Sequence, residues 1–217
     1  MSGRTPLATS SFSFALRTTQ PGTLLSRVSI ESQSTGTNTS TIGVIVWQDA
    51  QLRECTVSMS GEAETTAVRV DGGIVRIVDS DFKAVSKTGP GRGVYVMGAF
   101  VEVHRSTIFA VRTESGSTRV AHGVEILGHE LLVFDSALSG SHAALVSTDG
   151  GFPYAPKVEV RNSRLTRMSP PGPAVTATSS IRILGGELYG SVSGNVTCAN
   201  SVTYLFAPLD RACKELP

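Results

Sequence analysis

The sequence predicts an all-β chain wound as a parallel β-helix, a solenoid of about seven coils closed by a short C-terminal cap. Three observations predict this fold. One motif recurs about every 25 residues, a second alternating segment accompanies each copy, and no window places apolar residues at helical spacing. A repeat of this length with strand-like alternation is typical of stacked coils rather than of a closed globule.

The repeated motif reads apolar-x-apolar-x-Asp/Asn-Ser-x-apolar. Its clear copies occupy 75–82, 101–108, 131–138 and 158–165, and weaker copies precede and follow them. The fifth position of the motif serves as a marker for each coil. The seven marker residues are Arg27, Glu54, Asp79, Arg105, Asp135, Asn162 and Gly185.

The second segment also alternates apolar with polar residues, as in 93–96 and 123–126. We therefore expect two strands and two corners in each coil, with every strand pairing to its copy in the next coil at about 4.8 Å. Inward positions should then stack as apolar columns. One column comprises Val75, Val101, Leu131, Val158 and Ile181, and the next comprises Ile77, Val103, Val133, Val160 and Ile183.

A column of small polar residues follows the markers. Its members are Ser80, Ser106, Ser136 and Ser163, with Cys55 in register. Because no histidine occupies a matched neighbouring position, we interpret the column as a structural hydrogen-bonded ladder rather than a row of nucleophiles.

Composition and repeat continuity predict one repeat domain. We expect a lead-in at 1–11, coils over 12–190 and a cap at 191–217. Charged residues make up 17% of the chain and the net charge is +1, which argues against nucleic-acid binding. No segment has transmembrane length, so membrane insertion is not expected. Because the first ordered segment resembles the second strand of an incomplete coil, we expect any export signal to lie upstream of this chain.

The three cysteines differ in context. Cys55 lies in the serine column and is expected to be a buried free thiol. Cys198 and Cys213 flank an aperiodic tail whose apolar residues could cover the last coil. This arrangement favours a disulfide in an oxidising compartment, and two reduced cysteines in a cytosolic cap are the alternative.

The coil motif followed by Gly-Val-x-Val resembles the right-handed parallel β-helix repeat of the pectin-lyase-like superfamily. The tail, with Thr-Cys198, an aromatic run and then Cys213, is similar to the closing segment of bacterial secreted β-helix proteins. The resemblance covers roughly 22–213 and implies an extracellular or cell-surface location. It does not imply one activity, because the superfamily includes pectate lyases, polygalacturonases, phage tailspikes and adhesin passengers.

Two sets of outward residues are weak site candidates. Glu102 and Glu159 could serve as catalytic acids on an exposed strand face, about 9–10 Å apart. Alternating-charge pairs that hold the strand register are the structural alternative. Arg69, Tyr95 and Glu125 could bind a sugar, with the tyrosine ring stacking on it, or could be ordinary strand surface. The histidines lack metal-ligand spacing, so neither a metal nor a cofactor is expected.

These observations favour a non-enzymatic extracellular β-helix that serves as a surface scaffold, adhesin or glycan-binding module. Its partners would be polysaccharides or cell-surface components. One alternative is a polysaccharide lyase or glycoside hydrolase with a site on the loops at 112–122 and 147–157. Another is a fragment of a tailspike or passenger. The sequence leaves the oligomeric state open.

Overall fold

The computed structural model describes residues 11–35, 39–114, 120–169 and 172–216. In these residues the chain forms an all-β parallel solenoid of about six turns. The predicted lead-in lies outside the described residues except for Ser11, and so do 115–119 of the predicted 112–122 loop. The described part of the chain contains no helix long and apolar enough to cross a membrane.

Twenty strands are defined in the described residues. They are β1 (Ser11–Thr18), β2 (Thr23–Ser26), β3 (Ser29–Ser34), β4 (Thr39–Val46), β5 (Ala50–Arg53), β6 (Thr56–Gly61), β7 (Thr65–Val70), β8 (Ile74–Val78), β9 (Asp81–Ser86), β10 (Gly91–His104), β11 (Thr107–Arg112), β12 (Ala121–Phe134), β13 (Ala137–Gly140), β14 (Ala143–Thr148), β15 (Lys157–Arg161), β16 (Arg164–Arg167), β17 (Pro173–Leu184), β18 (Glu187–Tyr189), β19 (Ser191–Ala199) and β20 (Val202–Thr203).

The strands stack into three faces. Face 1 contains β1, β4, β7, β14 and the first halves of the long strands β10, β12, β17 and β19. Face 2 contains β2, β5, β8, β15 and the second halves of those long strands. Face 3 is a separate sheet of β3, β6, β9, β11, β13, β16, β18 and β20. The strand ladders are parallel throughout, so each coil hydrogen-bonds to the next along the axis.

Two sequence-based expectations need correction. Each complete coil has three strand segments rather than two, because the residues after each marker continue as an extended strand on face 3. The solenoid has about six turns rather than about seven. All seven markers adopt the left-handed backbone conformation, with φ between 45° and 66°, and form the corner between faces 2 and 3.

The predicted apolar columns are confirmed. Val101 pairs in register with Val75 and Leu131, and every member of its column is at most 3% exposed. The column of Ile77 and its four counterparts is completely buried. Face 3 contributes a third inward column that includes Val57, Phe82 and Ile108. Stacking of equivalent positions gives one continuous core along the rod.

The serine ladder is also confirmed. The hydroxyl of Ser136 accepts a hydrogen bond from the backbone N–H of Ser106 at 3.1 Å and donates one to the carbonyl of Phe134 at 2.6 Å. The same link joins the N–H of Cys55 to Ser80, that of Ser80 to Ser106, and that of Ser136 to Ser163, at 3.0–3.1 Å. Each hydroxyl therefore satisfies a buried backbone group at the left-handed corner of the neighbouring coil.

We expect Ser136→Ala to lower the free energy of unfolding by about 1–2 kcal/mol, because it leaves the buried N–H of Ser106 without an acceptor. Ser139→Ala, on the outer surface of β13, is the matched control and should change stability little. Urea denaturation of both variants measures the difference. Equal stability of the two variants would contradict a structural role for the ladder.

Glycines form the corner between faces 1 and 2. Gly98 and Gly128 have φ of 62° and 77°, and the ring of Phe152 packs against both. A Cβ on Gly128 would lie only 2.8 Å from the Cβ of Phe152. The insertion at 147–157 therefore folds back over this corner and covers it.

Candidate functional site

Glu102 and Glu159 lie on the outer surface of face 2 and are not brought together. Leu132 stands between them in the strand register. The Glu102 carboxylate accepts a hydrogen bond from Arg76 Nε at 2.7 Å, and Glu159 pairs with Arg161 and, at 3.3 Å, with Arg182. Both carboxylates are engaged by guanidinium groups, two of which belong to the neighbouring coil.

Arg69, Tyr95 and Glu125 are brought together on the outer surface of face 1. Tyr95 pairs in register with Arg69 on one side and with Glu125 on the other. Arg69 Nε also donates to Asp71 at 2.7 Å. The three side chains therefore occupy consecutive positions along the axis, at the spacing of adjacent parallel strands.

Arg92 organises this region, and the sequence-based interpretation missed it. Its Nε donates to Glu125 Oε2 at 2.7 Å, its Nη1 pairs with Glu64, and its guanidinium lies 4.5 Å from the centre of the Tyr95 ring. His122 Nδ1 lies 3.1 Å from the same Glu125 oxygen. We call Glu64, Arg92, Tyr95, His122 and Glu125 the Arg92 network.

The sequence contains a signal for the position of Arg92, but that signal is difficult to recognise. Arg92 and Glu125 are 33 residues apart, more than one repeat, because the connection before β12 is long. The preceding Gly89-Pro-Gly sequence resembles a simple turn, yet Arg92 lies within a strand and pairs in register with Thr66 and His122. Aligning the two strands on Val94 and Val124 would have placed Arg92 beside His122.

Burial sets the electrostatics of the network. The side chains of Arg92 and Glu125 are only 15% and 14% exposed. Burial alone would raise the pKa of Glu125, but hydrogen bonds from His122 and Arg92 outweigh it and hold that pKa below its usual value. Burial raises the pKa of Tyr95, with Arg92 acting in the opposite direction. At neutral pH the network therefore contains an ionised carboxylate and a neutral phenol.

We expect Glu125→Gln to lower the free energy of unfolding by about 2 kcal/mol near neutral pH, because a charged hydrogen-bond acceptor is lost from a mostly buried site. A carboxylate with a depressed folded-state pKa contributes its full stabilisation above the unfolded-state value. The usual value for this group is 4.5, and the contribution is lost as the pH falls through the lower folded-state pKa. The stability difference between wild type and variant should therefore shrink in acid.

Denaturation of both proteins at about pH 7 and about pH 3 measures this change. Glu31→Gln, at an exposed position of β3, is the control. Its free energy of unfolding at neutral pH should differ less from that of the wild type. A Glu125→Gln effect that is constant across the pH range would contradict the assigned role of the carboxylate.

A second polar region follows the marker corner. An open groove of about 460 Å³ runs beside Arg105, Asp135, Asn162 and Arg164. At its upstream end Arg105 forms a bidentate pair with Asp79, at 2.7 and 2.9 Å. The Asp79–Arg105 pair therefore links two successive coils at this corner.

No candidate metal centre is found in the described residues, because no three His, Cys, Asp or Glu side chains cluster there.

The predicted disulfide is confirmed. Cys198 and Cys213 are bonded, with their Cα atoms 5.1 Å apart. The N–H of Cys198 donates to the carbonyl of Arg211, so the tail lies directly against β19. Cys55 is a buried free thiol in the serine ladder, as expected.

Comparison of the chain with known protein families, with well-characterised proteins and with solved structures gives no match.

Proposed function

We propose that this protein is a non-enzymatic extracellular β-solenoid that serves as a surface scaffold or adhesin. The observation that carries the proposal is the pairing of its surface carboxylates. Ion pairs between adjacent coils occur on all three faces and at the marker corner: Arg27–Glu54, Asp79–Arg105, Arg76–Glu102, Glu62–Lys87, Arg92–Glu125, Glu159–Arg182 and Arg164–Glu187. Carboxylates committed to such pairs maintain the stacking of the rod.

The extracellular location is part of the same proposal. The Cys198–Cys213 disulfide fits an oxidising environment. The resemblance of the repeat to the right-handed coils of the pectin-lyase-like superfamily, and of the tail to secreted relatives, supports it further. On this basis we propose that the chain is a secreted member of that superfamily.

A second candidate function is glycan recognition by the surface of Arg69, Tyr95 and Glu125. The supporting observation is preorganisation, because Arg92 fixes both Glu125 and one side of the Tyr95 ring. A site whose polar groups are held before binding loses less side-chain entropy on binding. Tyr95 would provide the apolar surface and the charged neighbours would provide hydrogen bonds to hydroxyl or carboxylate groups.

The test is a panel of polyuronates and neutral polysaccharides, with bound glycan and newly formed chain ends measured separately. Tyr95→Ala is the binding variant, and Phe109→Ala, a half-buried outward aromatic residue on face 3, is its control. Binding without new chain ends that is lost only in Tyr95→Ala would support the glycan-binding function. If neither bound glycan nor new chain ends are detected, the protein does not recognise the polymers tested and the scaffold proposal stands.

Formation of new chain ends would overturn the non-enzymatic proposal in favour of a lyase or hydrolase. Glu102→Gln and Glu159→Gln would then test the two candidate acids. Sedimentation of the same sample addresses the tailspike or passenger alternative, for which we would expect a stable trimer.

A further inference from the structure

Two residues, Ser141 and His142, form the whole connection from face 3 to face 1 in one coil. They join β13, which ends at Gly140, to β14, which begins at Ala143. The preceding coil uses the longer connection 113–120 at the same corner, between β11 and β12. We call Ser141 and His142 the corner pair.

The corner pair holds both strand ends of the preceding coil. Ser141 Oγ accepts a hydrogen bond at 3.3 Å from the N–H of Arg112, the last residue of β11. His142 Nδ1 accepts one at 3.1 Å from the N–H of Ala121, the first residue of β12. The N–H of His142 donates back to the carbonyl of Ala121 at 3.0 Å. The end of β11 and the beginning of β12 are therefore both fixed by this pair.

The bond from Ala121 defines the protonation state of the His142 ring. A backbone N–H only donates, so Nδ1 must present a lone pair, and the ring must be neutral with its hydrogen on Nε2. Ala121 is completely buried, so its N–H needs this acceptor within the protein. A protonated Nδ1 can still donate to Ser141 Oγ, which lies 3.1 Å away. The bond that protonation removes is therefore the one from Ala121.

The surroundings of His142 oppose a positive charge on its ring. In the described residues, the charged or titratable side chains that act on it are Arg112 on β11, Arg167 on β16 and His122 on β12. Arg167 also donates to the carbonyl of His142. Burial lowers the pKa of His142, and these three neighbours lower it further. The nearby carboxylate of Glu125 is already engaged by Arg92 and His122.

We propose that the corner pair is an acid-sensitive conformational switch. At neutral pH the uncharged His142 ring holds the N–H of Ala121 and keeps the corner closed. When the ring gains a proton this bond breaks, and the beginning of β12 separates from the corner. His122 follows Ala121 directly and belongs to the Arg92 network, so the switch also controls how firmly that network is held. The switch does not depend on glycan binding, because no sugar takes part in it.

The pH dependence has a defined direction. A histidine whose pKa is lower in the folded state contributes its full stabilisation above the unfolded-state value, which for His142 is ordinarily 6.5. That contribution is lost as the pH falls from there through the lower folded-state pKa. The corner should therefore be closed in neutral solution and open in mild acid.

Two measurements on the full disulfide-bonded protein test the switch. Nitrogen NMR of the imidazole ring reports the tautomer and the charge of His142 between about pH 7.5 and about pH 5. Amide hydrogen exchange, expressed as protection factors, reports the N–H of Ala121 over the same range. The amides of β12 that pair with β15 are the internal reference. We expect the Nε2–H tautomer at the higher pH, and on the order of a tenfold loss of Ala121 protection relative to the reference at the lower pH.

Three variants separate the ring proton from other effects of acid. His142→Asn places an amide oxygen at the position of Nδ1, so Ala121 should stay protected at both pH values. His142→Ala removes the acceptor, so Ala121 should be unprotected at both. His129→Asn is the matched control, because His129 is exposed at another corner and its left-handed backbone, with φ of 65°, suits asparagine. It should respond to acid as the native protein does.

Three results would overturn the proposal. The first is an Nδ1–H tautomer of His142 at neutral pH, which could not accept the bond from Ala121. The second is Ala121 protection in the native protein that does not change relative to the reference as the pH falls. The third is loss of that protection in acid by the His142→Asn variant, which would assign the response to another group. The first two results come from the native protein and do not require any variant to fold.

Discussion

Replacing Phe82 with alanine is expected to lower the free energy of unfolding by about 3–5 kcal/mol, the range for removing a buried aromatic ring. Phe82 begins the inward row of β9 and is completely buried. In the strand register it lies between Val57 and Ile108 of the adjacent coils. The core of a solenoid is only one coil in cross-section, so few side chains can move into the space that the ring leaves.

Phe109→Ala provides the control, because Phe109 is one coil away on the same sheet but points outward and is only half-buried. Loss of the Phe109 ring should lower the free energy of unfolding much less than loss of the Phe82 ring. Equilibrium denaturation followed by circular dichroism compares the two variants. If they were destabilised equally, the inward column of face 3 would not be the continuous core described above.

Breaking the Cys198–Cys213 disulfide is expected to cost about 3 kcal/mol, because it releases the constraint on a closed loop of about 15 residues in the unfolded chain. Coils contact only their neighbours, so the loss should first affect the C-terminal end. The disulfide can be removed by the double substitution Cys198→Ser and Cys213→Ser or by mild reduction of the native protein. Either change should lower the melting temperature. Amide hydrogen exchange should increase in β19 and β20 before it increases in the central coils.

Cys55→Ser is the matched control for the cysteine substitutions. Cys55 occupies a ladder position that serine occupies in four other coils, and its N–H already bonds to Ser80. Its replacement should leave stability nearly unchanged, and the variant should be as sensitive to reductant as the native protein, because it retains the Cys198–Cys213 disulfide. A melting temperature of the native protein that is insensitive to reductant would show that the tail is held by its backbone bridges and by packing of Leu209 instead.

The core was predictable because its signal repeats. A single alternating segment is weak, but Val75, Val101 and Leu131 place the same side-chain type at the same point of successive coils. The serine ladder was predictable for the same reason, since Ser80, Ser106 and Ser136 recur beside a marker. Only repetition distinguishes a requirement of the fold from the chance composition of one strand.

The corners and the site were harder to predict. The left-handed residue at Asp79 interrupts the strand without interrupting the apolar pattern, so the strands on its two sides resembled one motif. Arg92 was missed because an ion pair between coils depends on the lengths of intervening loops, which vary from turn to turn. Tyr95 and Glu125 were grouped correctly because they lie inside strands, where register follows directly from the repeat.

The parallel ladders also determine how the rod responds to force. Because the hydrogen bonds between coils run along the axis, tension applied at the two ends acts on one coil boundary at a time, and the coils would separate sequentially, like a zipper. A sideways load is instead shared among many boundaries and by the ion pairs between coils. The disulfide constrains the last coil, so sequential peeling should begin preferentially at the opposite end. As a mechanical element, the molecule is better suited to hold surfaces apart than to act as a tether under tension.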